Sequence, residues 1–544
     1  MDGPSSVRLT ELLAALAFGT DLGMGHPTEH VLRQTYIALR LAERMGLSVP
    51  EREVVYYTSM VAWVGCHVDA YEQARWYGDD LAMKHDARLT DIAAPVAGAT
   101  FLVTRLGADR PVVGRVRTGV GFLAGGWRDT AAMYENHWRA ASSLVHDLAL
   151  PDPVLAGVEH TFERWDGRGE PDGVHGEQVH VASRLVNLAD VVEVFHDLGG
   201  VPAAVEVARD RSGGQFDPGL AGLFCDLAPA IFTDLDGAAG WEAVASIAPP
   251  IDRELTEEEL DRSLTAIADF VDLKSPYTLG HARGVTDLAS RAVEGGADAR
   301  LLRRAGLVHD LGRMGVSNGV WDKRGRFTAG DREKVRLHPY LTERMLAGLP
   351  ALAEVAAVAG QHHERLDGSG YPRGSAAPSL GPAARVLAAA DCYQAWSEPR
   401  PHRPAGVASQ VEGRLRDDVR AGRLDGGAVD AVLRAAGHRV RRRRAWPAGL
   451  TAREVEVLRL LAHGLSCGEI AERMVISRKT ASNHVEHIYA KIGVGNRALA
   501  SLFAARHGLV TAGGRDVGDL ETGGDRDLGT KMGRAPHDPE AGRS

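Results

Sequence analysis

This 544-residue sequence predicts an all-α fold: two tandem helical domains followed by a small four-helix module. Three observations carry that expectation. Apolar residues recur at the spacing of a helix face in nearly every long segment. Alternating apolar and polar runs bounded by hairpin turns are scarce. One turn-containing block occurs twice, with matching flanks, which marks a duplication rather than a solenoid. The chain is long enough to bury more than one core.

Taken in order, the opening MDGPSSVRLTELLAALAFGT lacks a basic segment leading into a sufficient apolar run, so no signal peptide is expected. EHVLRQTYIALRLAERMGL (29–47) and EVVYYTSMVAWVG (53–65) read as helices, as do LLRRAGLVHDLG (301–312) and EVEVLRLLAHGL (454–465). No stretch approaches the roughly 20 apolar residues that would span a bilayer. Cys66, Cys225, Cys392 and Cys467 are scattered without C-x-x-C spacing, which argues against a disulfide framework and for a reducing, cytoplasmic compartment. A net charge of −9 argues against a protein that coats nucleic acid along its whole length. That average hides a local basic run, Arg441 to Arg444, in the stretch GHRVRRRRAWPAG. It could add sequence-independent phosphate affinity or simply be a solvated linker.

The repeat pairs HTFERWDGRGEPDG (160–173) with QHHERLDGSGYPRG (361–374), which share E-R-x-D-G-x-G-x-P-x-G. Thr161 and Phe162 stand in the first where His362 and His363 stand in the second. His137 precedes Gly173 by the same 36 residues that separate His338 from Gly374. Asp190 answers Asp391, and His30 in HPTEH answers His281 in YTLGH. The expected units are 1–250, 256–438, a basic linker at 439–449, a module at 450–511 and a glycine- and charge-rich disordered tail at 512–544.

Copy two collects His281, His309, Asp310, His338, His362, His363 and Asp391. Neutral imidazoles with carboxylates suit first-row divalent metals. A lone histidine in a helical protein is usually structural, but seven such residues exceed the needs of one ion. Two ions sharing a carboxylate would use them, and Asp310, next to His309 at the end of an apolar helix, is the natural bridge.

These motifs, LVHDLGRMG, HHERLDGSGYPRG, AAADCYQAW and PRPHRP, resemble the HD-GYP family over about 256–438. The resemblance implies a helical phosphodiesterase domain with a two- or three-metal centre that hydrolyses cyclic di-GMP. It makes the seven residues metal ligands, with iron or manganese expected, and Gly370, Tyr371 and Pro372 a turn that shapes the substrate pocket. A phosphodiester resists hydrolysis because an anion must be attacked by a nucleophile. Bound metals offset that charge, and a nearby cation stabilises the transition state. Arg313 stands where many family members have lysine; it is expected to grip phosphate oxygens and, with Asp310, to be catalytic. Tyr277 replaces the glutamate that accompanies a third metal, which argues for two. Gln394 replaces a usual aspartate and puts helix-end contacts in question.

Copy one then resembles a decayed HD domain that keeps His30, His137 and Asp190. Its HD position is expected at Gly65-Cys66, or shifted to His67 and Asp69. Such a copy could be a scaffold packed on copy two or a ligand-sensing pseudo-enzyme.

In the C-terminal module, Thr451-x-x-Glu454 and Ser466-x-x-Glu469 form capping boxes, Ser477 caps a third helix and Gly493 stops it. The stretch resembles the LuxR-type DNA-binding domain. That resemblance puts the helix from Ser477 to Ile492 in the major groove of operator DNA. Arg478, Lys479, Lys491 and Arg497 would hold phosphates, with Thr480 in the same surface. Ser482, Asn483 and Glu486 would read bases, with binding as a homodimer. Ala481, where the family usually has valine, should cost a little packing. The whole then reads as a DNA-binding regulator with a phosphodiesterase domain acting on cyclic di-GMP or a related nucleotide. The alternatives are a nucleotide sensor without turnover and an HD phosphohydrolase of another nucleotide.

Overall fold

In the computed structural model the structure describes residues 6–237, 240–251, 253–440 and 446–510. Arg441 to Arg444 and the 512–544 tail lie outside them. Among the described residues there are helices and isolated bridges but no strand. No helix there is long and apolar enough to cross a membrane. The chain divides into two units, Met1–Val440 and Arg441–Ser544.

In the first unit, copy one runs α1 (Leu9–Met24), α2 (His30–Arg44), α3 (Val49–Val61), α4 (Ala70–Tyr77), α5 (Asp80–Leu89), α6 (Pro95–Arg105), α7 (Val112–Gly121), α8 (Trp127–Asp147) and α9 (Pro153–Glu159). It closes with α10 (Val181–Asp210, broken at Gly199 and Gly200), α11 (Pro218–Asp236) and α12 (Gly240–Ile247). Copy two begins with α13 (Glu257–Asp272), α14 (His281–Arg291), α15 (Gly296–Val308), α16 (Asn318–Trp321), α17 (Ala329–Arg336), α18 (His338–Leu346) and α19 (Ala353–Ala359). It ends with α20 (Pro382–Ser397), α21 (Ala408–Arg420) and α22 (Gly426–Ala435). Reciprocal caps start several of these helices: Ser48 with Glu51, Thr256 with Glu259, and Thr328 with Asp331.

The duplication is visible in backbone detail. Glu29 and Gly280 both adopt the left-handed conformation just before α2 and α14. Asp21 Oδ1 accepts from Val31 N at 3.0 Å, and Asp272 Oδ2 accepts from Ala282 N at 2.9 Å. In the repeated turn, the Glu163 carboxylate accepts from the backbone N–H of Asp172 and Gly173, while that of Glu364 accepts from Arg373 and Ser375. A Cβ at Gly169 or Gly370 would lie 2.4 or 2.5 Å from the Cα of that glutamate. The turn persists in both copies because a buried carboxylate ties it and only glycine fits against it.

The copies share one continuous apolar core, from Val7 to Leu433. Gly19 of α1 leaves room for Met314 and Met345 of copy two; a Cβ there would lie 2.5 Å from Met345 Cε. The largest difference between copies is an insertion. His137 follows Trp63 by 74 positions, whereas His338 follows Asp310 by 28. The extra length holds α5, α6 and α7.

The second unit has α23 (Ala452–Ala462), α24 (Cys467–Met474), α25 (Arg478–Ile492) and α26 (Arg497–Arg506). Its own core comprises Val455, Leu458, Ile470, Ala481, Val485, Ile488 and Ala500, among others. Both expected capping boxes are present, Ser477 accepts from Thr480 N, and Gly493 ends α25 at φ +65°. Ala481 is fully buried.

Candidate metal centre and nucleic-acid interface

Five separate segments of copy two deliver the seven residues to one place. His281 opens α14, His309 and Asp310 follow α15, His338 opens α18, His362 and His363 follow α19, and Asp391 lies inside α20. All but His363 are buried.

Three rings are aimed by the chain itself. His309 Nδ1 donates to Gly306 O at 2.7 Å, His338 Nδ1 to Val335 O at 2.6 Å, and His362 Nδ1 to Ala359 O at 2.7 Å. Each carbonyl lies three residues upstream, so it fixes the tautomer and leaves Nε2 as a lone pair facing inward. The Nε2 atoms of His338 and His362 are 3.1 Å apart, and that of His309 is buried without a hydrogen-bond partner. Two acceptors pointed at each other beside an orphaned third call for a cation, and the donor set fits a divalent metal.

The groups fall into two clusters, His281 with His309 and Asp310, and His338 with His362 and His363. Asp310 spans them. Its Oδ2 lies 3.6 Å from His281 Nε2 and 3.4 Å from His309 Nε2, while Oδ1 lies 3.3 Å from His338 Nε2 and 3.6 Å from His362 Nε2. Asp391 is 3.4 Å from His281 Nε2 and 3.6 Å from His363 Nδ1. Burial, with His309 and His338 beside it, pushes His362 down to about 3, and burial holds His363 well below its ordinary value. Both rings are therefore neutral, as ligands must be. Burial would raise Asp310, but Arg313 and His309 hold it well below the usual carboxylate range. Burial lowers His281, yet Asp391 and Glu398 outweigh it and carry the ring up to about 9.

Around this centre, Arg313 Nη1 donates to Asp310 Oδ2 at 2.7 Å, and its guanidinium lies 4.3 Å over the Trp321 ring. The Tyr371 ring packs 4.7 Å from the His363 ring, with the Arg336 guanidinium 5.4 Å from its centre. Gly370 lies against Glu364, and Pro372 follows Tyr371 through a cis bond. The turn thus walls the side of the centre near His363.

Sequence reasoning missed Glu398 and Arg400. Glu398 Oε2 accepts from His281 Nδ1 at 2.9 Å, which aims a ring that no carbonyl holds. Gln394 packs on Gly284 and donates to Glu398 Oε1 at 2.8 Å, so the helix-end contact in question is made. Arg400 donates to Glu398 and to Tyr277 O. Glu398 lies just past the end of α20, in extended backbone, so no helical spacing from Asp391 pointed to it.

In copy one the expected HD position is corrected. Gly65 lies under the His137 carbonyl as Gly312 lies under that of His338. Thr35 bonds Ser59 where Thr286 faces Gly306. The register therefore puts Ala62 and Trp63 opposite His309 and Asp310, and neither Gly65-Cys66 nor His67 and Asp69. Phe162 contacts Trp63, Tyr134 and His137 edge-on, so aromatic rings stand where copy two has ligands. Of the retained residues, His30 pairs with Glu193 and Asp190, and Asp190 also pairs with Arg88. Thr161 donates to Val158 O.

On α25, Ala481, Val485 and Ile488 face the core, while Arg478, Lys479, Thr480, Asn483 and Glu486 are exposed and Ser482 is half-buried. Thr480 Oγ1 is tied to Ser477. Two expected phosphate contacts have other partners. Lys491 Nζ lies 2.7 Å from Glu454 Oε2, and Arg497 Nη2 donates to Leu461 O at 2.6 Å. Both brace the helices of the module, because each reaches a buried acceptor there.

Residues 127–206 and 265–426 match the family described as HD domain, so both copies are picked out. Residues 448–504 match bacterial regulatory proteins of the luxR family. The chain is 31% identical over 407 residues to a 3'3'-cGAMP-specific phosphodiesterase of Vibrio cholerae, covering 73% of this chain and 88% of that protein. It is 30% identical over 243 residues to a cyclic di-GMP phosphodiesterase of Pseudomonas aeruginosa, covering 43% and 56%. The crystal structure of a cyclic GMP-AMP specific phosphodiesterase from V. cholerae aligns with a TM-score of 0.55 and 25% identity, over 80% of this chain and 98% of that one.

Proposed function

Since this chain belongs to the HD-GYP family of HD-domain phosphodiesterases and carries a luxR-family helix-turn-helix, we propose that copy two hydrolyses a cyclic dinucleotide and that α25 reads operator DNA. Cyclic di-GMP and 3'3'-cGAMP are the candidate substrates, named from the relatives. The observation that carries the reading is the convergence of seven side chains, three of them ring-aimed by carbonyls, around facing acceptor atoms.

His281, His309, Asp310, His338, His362, His363 and Asp391 would hold two divalent ions, iron or manganese. What such ions supply when bound is neutralised phosphate charge and a water acidic enough to attack near neutral pH. The rest falls to the chain. Asp310 presents one oxygen to each cluster, so it keeps both in register. Arg313, clamped between Asp310 and Trp321, offers a fixed cation to phosphate oxygens as charge builds there. Tyr371 offers an aromatic face for a base and, with burial pushing its phenol up, a hydroxyl that stays protonated. Gly370 and Pro372 set the position of that ring. In the second unit, Arg478 and Lys479 would hold phosphates and Ser482, Asn483 and Glu486 would read bases, as a homodimer on paired half-sites.

The test is to load full-length protein with iron or manganese, incubate it with cyclic di-GMP or 3'3'-cGAMP, and separate the products. Linear dinucleotide or mononucleotide supports the reading. Binding of either without cleavage makes the centre a receptor instead. Elemental analysis should find about two ions per chain, most of them lost in Asp310→Ala; unchanged metal in that variant removes the ligand assignment.

A further inference from the structure

Copy one does not close over the place where its metals would have been. A cavity of about 670 Å³ opens there, within the size range of small-molecule sites. Phe162 and His137, which hold the positions of His363 and His338, form part of its lining. The inserted segment that copy two lacks contributes Met83 and Ala87 from α5, Phe101 and Leu102 from α6, and Phe122. A void of this size is not a packing defect, since native interiors leave few spaces larger than a water molecule.

The charged residues in the wall already have partners. Arg88 Nε lies 3.1 Å from Asp190 Oδ2, with its guanidinium 3.8 Å from the centre of the Trp63 ring. Lys84 Nζ lies 3.5 Å from Asp80. Asp69 accepts from Asn136 Nδ2 at 3.0 Å, and burial pushes its carboxyl up to about 7, so it is a weak counter-charge near neutrality. An ionic ligand would give up its hydration and find these ions engaged elsewhere. Thioether, aromatic and aliphatic groups make up most of the remaining wall, and they reward apolar surface.

We propose that this cavity is a binding site for an uncharged, largely apolar small molecule, built where the degenerate copy lost its metal ligands and gained α5 to α7.

Full-length protein titrated with N-phenylnaphthylamine, an uncharged apolar fluorophore, should show saturable enhancement with one probe per chain and a raised melting temperature. Its sulfonated analogue, anilinonaphthalene sulfonate, should bind roughly ten-fold or more weakly, because its charge has no open partner. Ala99→Trp, at an exposed residue on the cavity edge, and Ala87→Trp, on α5, should each abolish binding of the neutral probe while the helical circular dichroism is unchanged. Val113→Ser, in the exposed valine stripe of α7, should leave it intact. Absence of both saturation and a melting shift overturns the proposal. So does retention of binding in either folded tryptophan variant, loss in Val113→Ser, or equal affinity for the sulfonated probe. The titration reads binding alone, so its outcome is separate from any turnover of dinucleotide.

Discussion

The side chain of His281 is the one ring in the centre whose Nδ1 bonds a carboxylate outside the seven ligands. Glu398 receives its Nδ1–H, so this carboxylate should set both tautomer and basicity. Glu398→Gln should weaken manganese binding about 10–100-fold, read by competition against a chelator, while Glu398→Asp recovers part of it. Equal affinity in wild type and Glu398→Gln would reduce the residue to a surface ion-pair partner of Arg400. Arg313 belongs to the same scale but to a different role. Arg313→Ala should lower turnover by about 100-fold with metal content unchanged, the loss typical of one donor aimed at developing charge. If metal leaves with the guanidinium, Arg313 supports Asp310 and not the substrate. The seven ligands were legible as residue types at motif spacing. Glu398 was not, since its role appears only once α20 lies beside α14.

At the scale of the element, α25 separates its work by face. Ala481, Val485 and Ile488 lock it into the module core, and Asn483 and Glu486 project from the opposite side. Asn483→Ala should relax specificity at one position of each half-site, costing about 1–3 kcal/mol per lost base contact. Lys479→Ala should weaken all sequences alike and flatten the salt dependence by about one unit. Binding titrations over several salt concentrations separate the two; identical behaviour would remove the groove assignment. Lys491→Ala should act through stability instead, because it strips the cation from half-buried contact with Glu454. The caps and stop of these helices could be read directly, since Ser, Thr, Glu and Gly act within four residues of where they stand. The internal partners of Lys491 and Arg497 could not, because each reaches another helix.

For the first unit as a whole, the two copies are joined through a buried charge. Asp80, at the start of α5, accepts from Ser317 Oγ and Asn318 N at 2.7 Å and lies 3.5 Å from both Lys84 and Lys274. Burial alone would raise its carboxyl, but Lys274 and Lys84 overcome that and hold it at about 2. Burial also pulls Lys274 down to about 8 despite Asp80, so its ammonium is costly to hold in the cluster. Asp80→Asn would leave them without a counter-charge and should destabilise the first unit by about 3–5 kcal/mol near neutrality. The folded value lies below the unfolded 3.8, so the carboxylate's contribution is present above about pH 4 and lost as pH falls through 2. Denaturant midpoints of wild type and Asp80→Asn should therefore converge between pH 4 and 2. A constant gap would mean that Asp80 acts through its hydrogen bonds to Ser317 and Asn318.

What the sequence determined by itself is what local chemistry enforces: helical periodicity, caps, the glycine turn tied by Glu163 or Glu364, and the residue types of a metal centre. The duplication was also legible, since 36-residue spacing survives in both copies. Only the tertiary structure decided which residues face one another. It placed Trp63 and not Cys66 opposite Asp310, because register across a long insertion cannot be counted along the chain. It merged two expected domains around one core, since apolar faces of α1 and α18 show no partner in sequence. It also turned the inserted α5 and α6 into the wall of a cavity, a consequence of packing beside a lost metal site that no local pattern encodes.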